Sequence, residues 1–215
     1  MPSPSDTDRP ADAVAVAQQY LSRERSLSGL LVAVVVTVFL GTYVLTSLLP
    51  AILIAIILLV ILRAPLLKPH GTARLRSDAT PETVRASFEG PTPPVLAFQW
   101  GVADTVTVEN GTVVYPISYL FGLRTVDVTV RTETERTSDG DTRVELEVRM
   151  SGQPWATYTA TITEGGDGTI VDITYESDRR FGLRYLLQQI ILNRYRNEAL
   201  EAQGYTVVDR DSRVQ

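Results

Sequence analysis

Residues 26–62 form a run of 37 residues without one charged side chain. Nothing else in the chain limits its folding as strongly. A single helix of that length would extend roughly 55 Å, whereas the hydrocarbon core of a bilayer is about 30 Å thick. One straight span would leave part of the run without apolar surroundings. Two helices of roughly 18–22 residues fit better. A break is available near the middle, at Gly41-Thr42-Tyr43 and Ser47-Leu48-Leu49-Pro50. Proline suits the first turn of a helix, where its missing N–H costs nothing, and Ser47 suits the cap before it. The expectation is a hairpin of two transmembrane helices within 27–67, the first over 27–48 and the second over 50–67. Arg23 and Arg25 precede the pair, Arg63, Lys68, Arg74 and Arg76 follow it, and the turn carries no charge. By the positive-inside rule both ends are cytoplasmic, in a multi-pass protein of the cell membrane. A buried helical pair in a soluble protein and a single tilted span are the competing readings.

Residues 1–26 precede this hairpin. The first ten hold three prolines with Ser, Thr and Asp, and are expected to be a disordered arm. Val14, Ala17 and Leu21 then recur at helical spacing. They make either a short amphipathic helix on the membrane surface or an extension of the first membrane helix.

Composition excludes several chemistries. There is no cysteine, so disulfides, thiol catalysis and zinc ribbons are out. His70 is the one histidine, and Pro69 and Gly71 around it read as a linker, the wrong place for a cavity. The formal charge is −5, with 20 basic and 25 acidic residues, and Lys68 is the only lysine. This is the balance of a salt-adapted (halophilic) protein. It offers no basic stripe for phosphates, so no nucleic acid is expected as partner.

After residue 71 the pattern changes. Residues 72–79 alternate as a strand. Thr80-Pro81-Glu82 starts a short helix with Thr as cap, Pro at the first position and an acid in the first turn. Val84 and Phe88 form its apolar face. Residues 95–100 are a second short helix or a bulky loop. About six strands follow, over 102–109, 112–121, 123–137, 142–150, 155–163 and 169–176, with Asn110-Gly111 the clearest hairpin turn. Val144, Leu146, Val148 and Met150 share one face of their strand, as expected of an antiparallel meander with one wet and one buried side. The period then becomes helical over 180–203, and Gly204 is a natural stop. The tail from Tyr205 begins extended and then frays.

The opening TARLRSDATPETVRASF (72–88) and the closing helix RRFGLRYLLQQIILNRYRNEAL (179–200) carry a resemblance. In this order of elements the chain resembles the SRPBCC superfamily, the START-like, polyketide cyclase-like helix-grip proteins. The strand leading into an x-x-Pro-Glu-x-Val helix is the motif concerned. The chain departs from the pattern where Pro91, Pro93 and Pro94 shorten the usual second helix. The resemblance implies an α+β fold: the transmembrane helical hairpin, then over 72–208 a helix-grip domain whose curved antiparallel sheet wraps on a long C-terminal helix, then a tail over 209–215.

In that superfamily an apolar cavity lies between sheet and helix. If this chain is similar, the ligand-binding candidates are Tyr115, Tyr119, Trp155, Tyr158, Tyr175, Leu183, Leu187 and Ile191. The plainer reading is that these side chains fill the core. Glu133, Glu135, Glu145 and Glu147 alternate with arginines and read as a solvated face, while Asp172 and Glu176 share a strand face without an apolar setting. No catalytic residue, metal ligand or cofactor is expected. The function read from the sequence is a membrane-anchored, non-catalytic domain that takes a hydrophobic small molecule or lipid. A structural or protein-interaction module with a filled core and a cyclase-type enzyme are the alternatives.

Overall fold

The computed structural model describes residues 7, 9–65, 67–119, 123–166, 168–182 and 184–214; for 20–28, 30–31, 62–63, 184–192 and 212–214 it describes the backbone alone. Helix α1 runs from Ala11–Leu45 and helix α2 from Leu48–Arg63, and the two pack together as a hairpin joined at Thr46 and Ser47. Ala51, fully buried, lets them approach closely. Of the two readings of 11–26, the continuous helix is the one observed. Ser47 holds the cap position of α2, yet its side chain makes no capping bond.

The hairpin forms, but its membrane-crossing character does not follow. Among the described residues no helix is long and apolar enough to cross a membrane. For α2 the physical reason lies in where the break falls. It leaves α2 with 16 residues, roughly 24 Å at 1.5 Å per residue, short of a bilayer core of about 30 Å.

The domain that follows contains strand β1 (Pro69–Ser77), helix α3 (Pro81–Glu89), a 3-10 turn (Pro94–Leu96) and helix α4 (Ala97–Val102). Strands β2 (Thr107–Glu109), β3 (Thr112–Tyr119), β4 (Arg124–Arg136), β5 (Thr142–Met150), β6 (Gln153–Gly165) and β7 (Gly168–Ser177) come next. Helix α5 (Arg184–Glu201) and strand β8 (Tyr205–Val214) complete it. All eight strands form one antiparallel sheet in the order β2-β3-β4-β5-β6-β7-β1-β8. The α+β arrangement fits a helix-grip fold.

Local chemistry explains the elements. Thr80 caps α3 by accepting from the Thr83 N–H at 3.4 Å, with Pro81 next in line, and Val84 and Phe88 are the residues it buries. Asn110 and Gly111 both have positive φ, as the two-residue β2–β3 turn requires. On β5, Val144, Leu146 and Val148 are buried while Glu145 is exposed. Glu133, Glu135 and Glu147 pair on the outer face with Arg131, Arg143 and Arg149 at 3.3, 3.3 and 2.9 Å. Asp172 is held there by a two-pronged bond from Arg74, at 2.7 and 3.0 Å. Such exposed pairs contribute little to stability.

Two expectations are corrected. The tail after Tyr205 does not fray: it is the ten-residue strand β8, paired with β1 along its length. Its tethering to β1 was invisible locally, because Asp209, Arg210 and Asp211 look like a solvated end. The arm before Ala11 also has docked residues. Thr7 N–H donates to the Val106 carbonyl at 3.0 Å, and Arg9 Nη1 donates to the carbonyls of Trp100 and Ala103 at 3.2 and 2.7 Å. The rest of the expected disordered arm, residues 1–6 and 8, lies outside the described residues.

These contacts fix α1 onto the domain. Ala13 and Ala17 are fully buried, and α1 lies against α4 and α5. A β-carbon at Gly101 of α4 would stand 2.8 Å from the β-carbon of Ala17, so the two helices meet only because Gly101 has none. Gly101→Val should therefore lift the start of α1 off the domain, at a cost of about 1–3 kcal/mol. Hydrogen exchange will show this as faster exchange at Ala13–Ala17 with β4–β6 still protected. Equal protection of both would disprove the close contact.

Candidate functional site

The concave side of the sheet carries the core. Its largest fully buried side chains include Trp100, Tyr115, Phe88, Leu75, Leu96 and Leu146. Trp100 Nε1 donates to the Pro93 carbonyl at 2.9 Å, so the proline-rich stretch serves as an acceptor for a buried indole.

A cavity remains at one side, where the C-terminal half of α5 covers β1, β6, β7 and β8. In register, Tyr158 of β6 stands beside Tyr175 of β7, which stands beside Gly71 of β1; Ile173 stands beside Ala73. Gly71 and Ala73 leave space that larger side chains would fill. Arg196, Ala199 and Leu200 close the space from α5, and Phe98 of α4 borders it. The cavity holds about 70 Å³. A neighbouring hollow of about 230 Å³ shares His70 and Tyr175 with it, but is bounded by the exposed Thr174, Glu176 and Asp211 and is a feature of the surface.

The cavity is aromatic on one wall and cationic on the other. The rings of Tyr158 and Tyr175 lie 4.9 Å apart between centroids, tilted by 42°. Arg196 Cζ lies 5.7 Å from the centre of the Tyr175 ring, a cation–π distance. Arg210 borders the same space from β8. Its inward place comes from a bulge. Leu75 pairs with Val207, Arg74 with Asp209 and Ala73 with Arg210, so β8 has one residue, Val208, more than its partner. Tyr205 and Val207 face the core, and regular alternation would next bring Asp209 inward. The extra residue reverses the alternation and sets Arg210 opposite Ala73 instead. Burial, and then the charge of Arg196, push the Arg210 guanidinium down to about 10. Its Nη1 is buried and has no hydrogen-bond acceptor among the described residues.

Of the residues singled out from the sequence, Tyr158 and Tyr175 line this cavity. Tyr115 is fully buried in the core, where its hydroxyl donates to the Pro91 carbonyl at 2.9 Å and burial pushes its phenol well up. Tyr119 is exposed near the end of β3. Trp155 meets Phe181 edge-on at 5.5 Å and lies beneath Arg179, away from the cavity. Leu183 lies outside the described residues, as do the side chains of Leu187 and Ile191. His70 corrects the linker reading: it stands in β1 opposite Glu176, and it borders the cavity. Phe98, Arg196 and Arg210 were not anticipated. Arg196 could have been found, because Arg196, Ala199 and Leu200 stand at i, i+3, i+4 on one helix face.

No protein-family model matches this sequence, and no curated protein matches it. Solved structures do. A conserved protein from Geobacillus kaustophilus is similar at 12% identity, over 66% of this chain and 98% of that one, with a TM-score of 0.44. The Mll3558 protein from Rhizobium loti is similar at 20% identity, over 62% and 96%, with a TM-score of 0.40. A START superfamily protein from Mycobacterium smegmatis is similar at 12% identity, over 63% and 97%, with a TM-score of 0.39. At such values the fold assignment rests on the topology described above.

A buried donor without an acceptor costs about 1 kcal/mol or more. Arg210→Met, an apolar side chain of similar reach, should therefore raise the stability of the full chain by about 1 kcal/mol. Chemical unfolding followed by circular dichroism measures this. A loss of stability would mean that Nη1 is already satisfied.

Proposed function

We propose that the chain is a membrane-tethered, non-catalytic binding domain for a small molecule with an apolar body. The cavity beneath α5 carries this reading: it is bordered by Tyr158, Tyr175, Phe98, Ile173 and Leu200, and is partly open to solvent. Its 70 Å³ falls below the 300 Å³ or so at which pockets enclose drug-sized molecules. It admits one end of a ligand and leaves the rest against the open side. The small volume equally favours the second reading, a structural or interaction module whose core is filled. A cyclase-type enzyme would need a general base, and the side chains at the cavity's border that could serve are His70 and Asp211.

The tether is argued from the hairpin. Val44 and Leu45 at its tip are 79% and 84% exposed, and Leu49, Leu53, Ile57 and Val60 of α2 are also open. That is far more contiguous apolar surface than a water-facing protein keeps. Thr37, Thr42 and Thr46 return their hydroxyls to carbonyls four residues back, at 2.8, 2.8 and 2.7 Å, which suits apolar surroundings. A hairpin whose second arm is too short to cross can still enter the bilayer from one face, leaving both ends on the same side.

Charge supports the same orientation. The end of the sheet nearest the hairpin is marked by Leu67, which exchanges two backbone hydrogen bonds with Phe181 at 3.0 and 2.7 Å. Lys68, Arg179 and Arg180 are exposed in the connections there with the acids Asp104 and Asp178, Arg124 begins β4, and Leu123 beside it is 86% exposed. The opposite end carries Asp78, Asp139 and Asp141 in its connections, with Arg136 closing β4 beside them. A basic, partly apolar end suits anionic headgroups, and an acidic end suits water.

Native mass spectrometry of the full chain purified in detergent should find an apolar or amphipathic molecule bound non-covalently. The bare mass alone would favour the filled-core reading. The tether is tested separately, using the absence of cysteine. Single environment-sensitive fluorophores at Ile54→Cys, Leu123→Cys and Ser138→Cys, in vesicles holding spin-labelled lipids, should be quenched deeply, at the interface and not at all, in that order. An unquenched probe at Ile54→Cys would remove the membrane from the reading.

A further inference from the structure

We infer that Arg196 and Arg210 form a receptor for an oxyanion, the carboxylate or phosphate head of an amphipathic ligand whose apolar part lies against Tyr158 and Tyr175. The inference deepens the ligand-binding reading above and rests on it.

Three observations converge. First, two guanidinium groups from different elements, α5 and β8, border one small cavity. Like charges brought together under partial burial are costly, and the carboxylate bordering the same cavity, that of Asp211, belongs to a residue exposed to water. Second, the Arg210 Nη1 is buried without an acceptor among the described residues. An arginine presents its donors in a planar fork that matches two oxygens of one carboxylate or phosphate, so the missing partner has a defined shape. Third, the arginine is brought there by a backbone irregularity. The β8 bulge reverses the inward alternation between Val207 and Arg210, and with a regular strand the cation would point to water. Bulges re-aim side chains in this way beside binding sites.

The remaining walls select what the anion is attached to. Arg196 is already stacked on Tyr175, and Tyr175 on Tyr158. An apolar chain leaving the oxyanion therefore passes over aromatic faces and toward Phe98 and Leu200. A bare inorganic anion would use the arginines and leave those faces unused. A cation would meet two like charges inside and the Asp211 carboxylate only at the exposed rim.

The test uses the full chain in nanodiscs of zwitterionic lipid, with empty nanodiscs subtracted, and isothermal titration with hexanoate, hexyl phosphate, hexanol and acetate. Hexanoate and hexyl phosphate should bind about tenfold or more tighter than hexanol, the difference expected of a charge-assisted bond, and tighter than acetate. Arg210→Met and, independently, Arg196→Met should each remove about tenfold of the oxyanion affinity and leave hexanol unchanged. Hexanol binding as tightly as hexanoate, or hexanoate affinity unaltered in both variants, overturns the receptor while the ligand-binding reading stands. Acetate equal to hexanoate overturns the amphipathic part. If none of the four binds, the ligand-binding reading fails as well.

Discussion

Strand β1 is hydrogen-bonded on both sides, to β7 and to β8, and the rest of the domain depends on that double pairing. It is the first strand of the domain in sequence and it is bordered by the last. Its two ladders bring the beginning and the end of the domain to one side of the sheet. The same pairing sets small Gly71 and Ala73 next to large Tyr175 and Ile173, and next to Arg210. A cavity exists there because a strand of small inward residues is clamped between neighbours with bulky ones. The long-range contacts involved are costly to close and are offset only when the whole sheet forms.

The pattern of apolar residues made much of this readable. Alternation on β5, the Thr-Pro-Glu start of α3 and the Asn110-Gly111 turn each follow from backbone chemistry confined to a few residues, and each stands where the sequence places it. The hairpin was legible as two helices, because nothing charged interrupts 26–62. Its relation to a bilayer was not. That depends on where the break falls and how long each arm becomes, which composition does not fix.

The misses share a cause. β8 carries Asp209, Arg210, Asp211 and Arg213 within a few residues, and its inward positions change parity at the bulge, so no period of two survives to be seen. A strand identified by its partner rather than its own alternation leaves no local trace. His70 was hidden by Pro69 and Gly71, which signal a turn in isolation and yet occupy the start of β1. Tyr115 shows the converse. Its aromatic ring was an obvious candidate for a ligand wall, but a hydroxyl satisfied by Pro91 and complete burial make it a packing residue. Arg196 occupies the middle case, legible from its spacing to Leu200 once the cation is allowed on the apolar face.

Helix α1 gives this architecture a mechanical character. It runs without interruption from the contact of Ala17 with Gly101 to the exposed tip at Leu45, roughly 42 Å of rod at 1.5 Å per residue. A rod held at one end cannot lean at the other without moving its anchorage. Gly101 belongs to α4, the same short helix that offers Phe98 to the cavity. A tilt of α1 would thereby act first on the helix that borders the pocket, with Gly101 as the fulcrum.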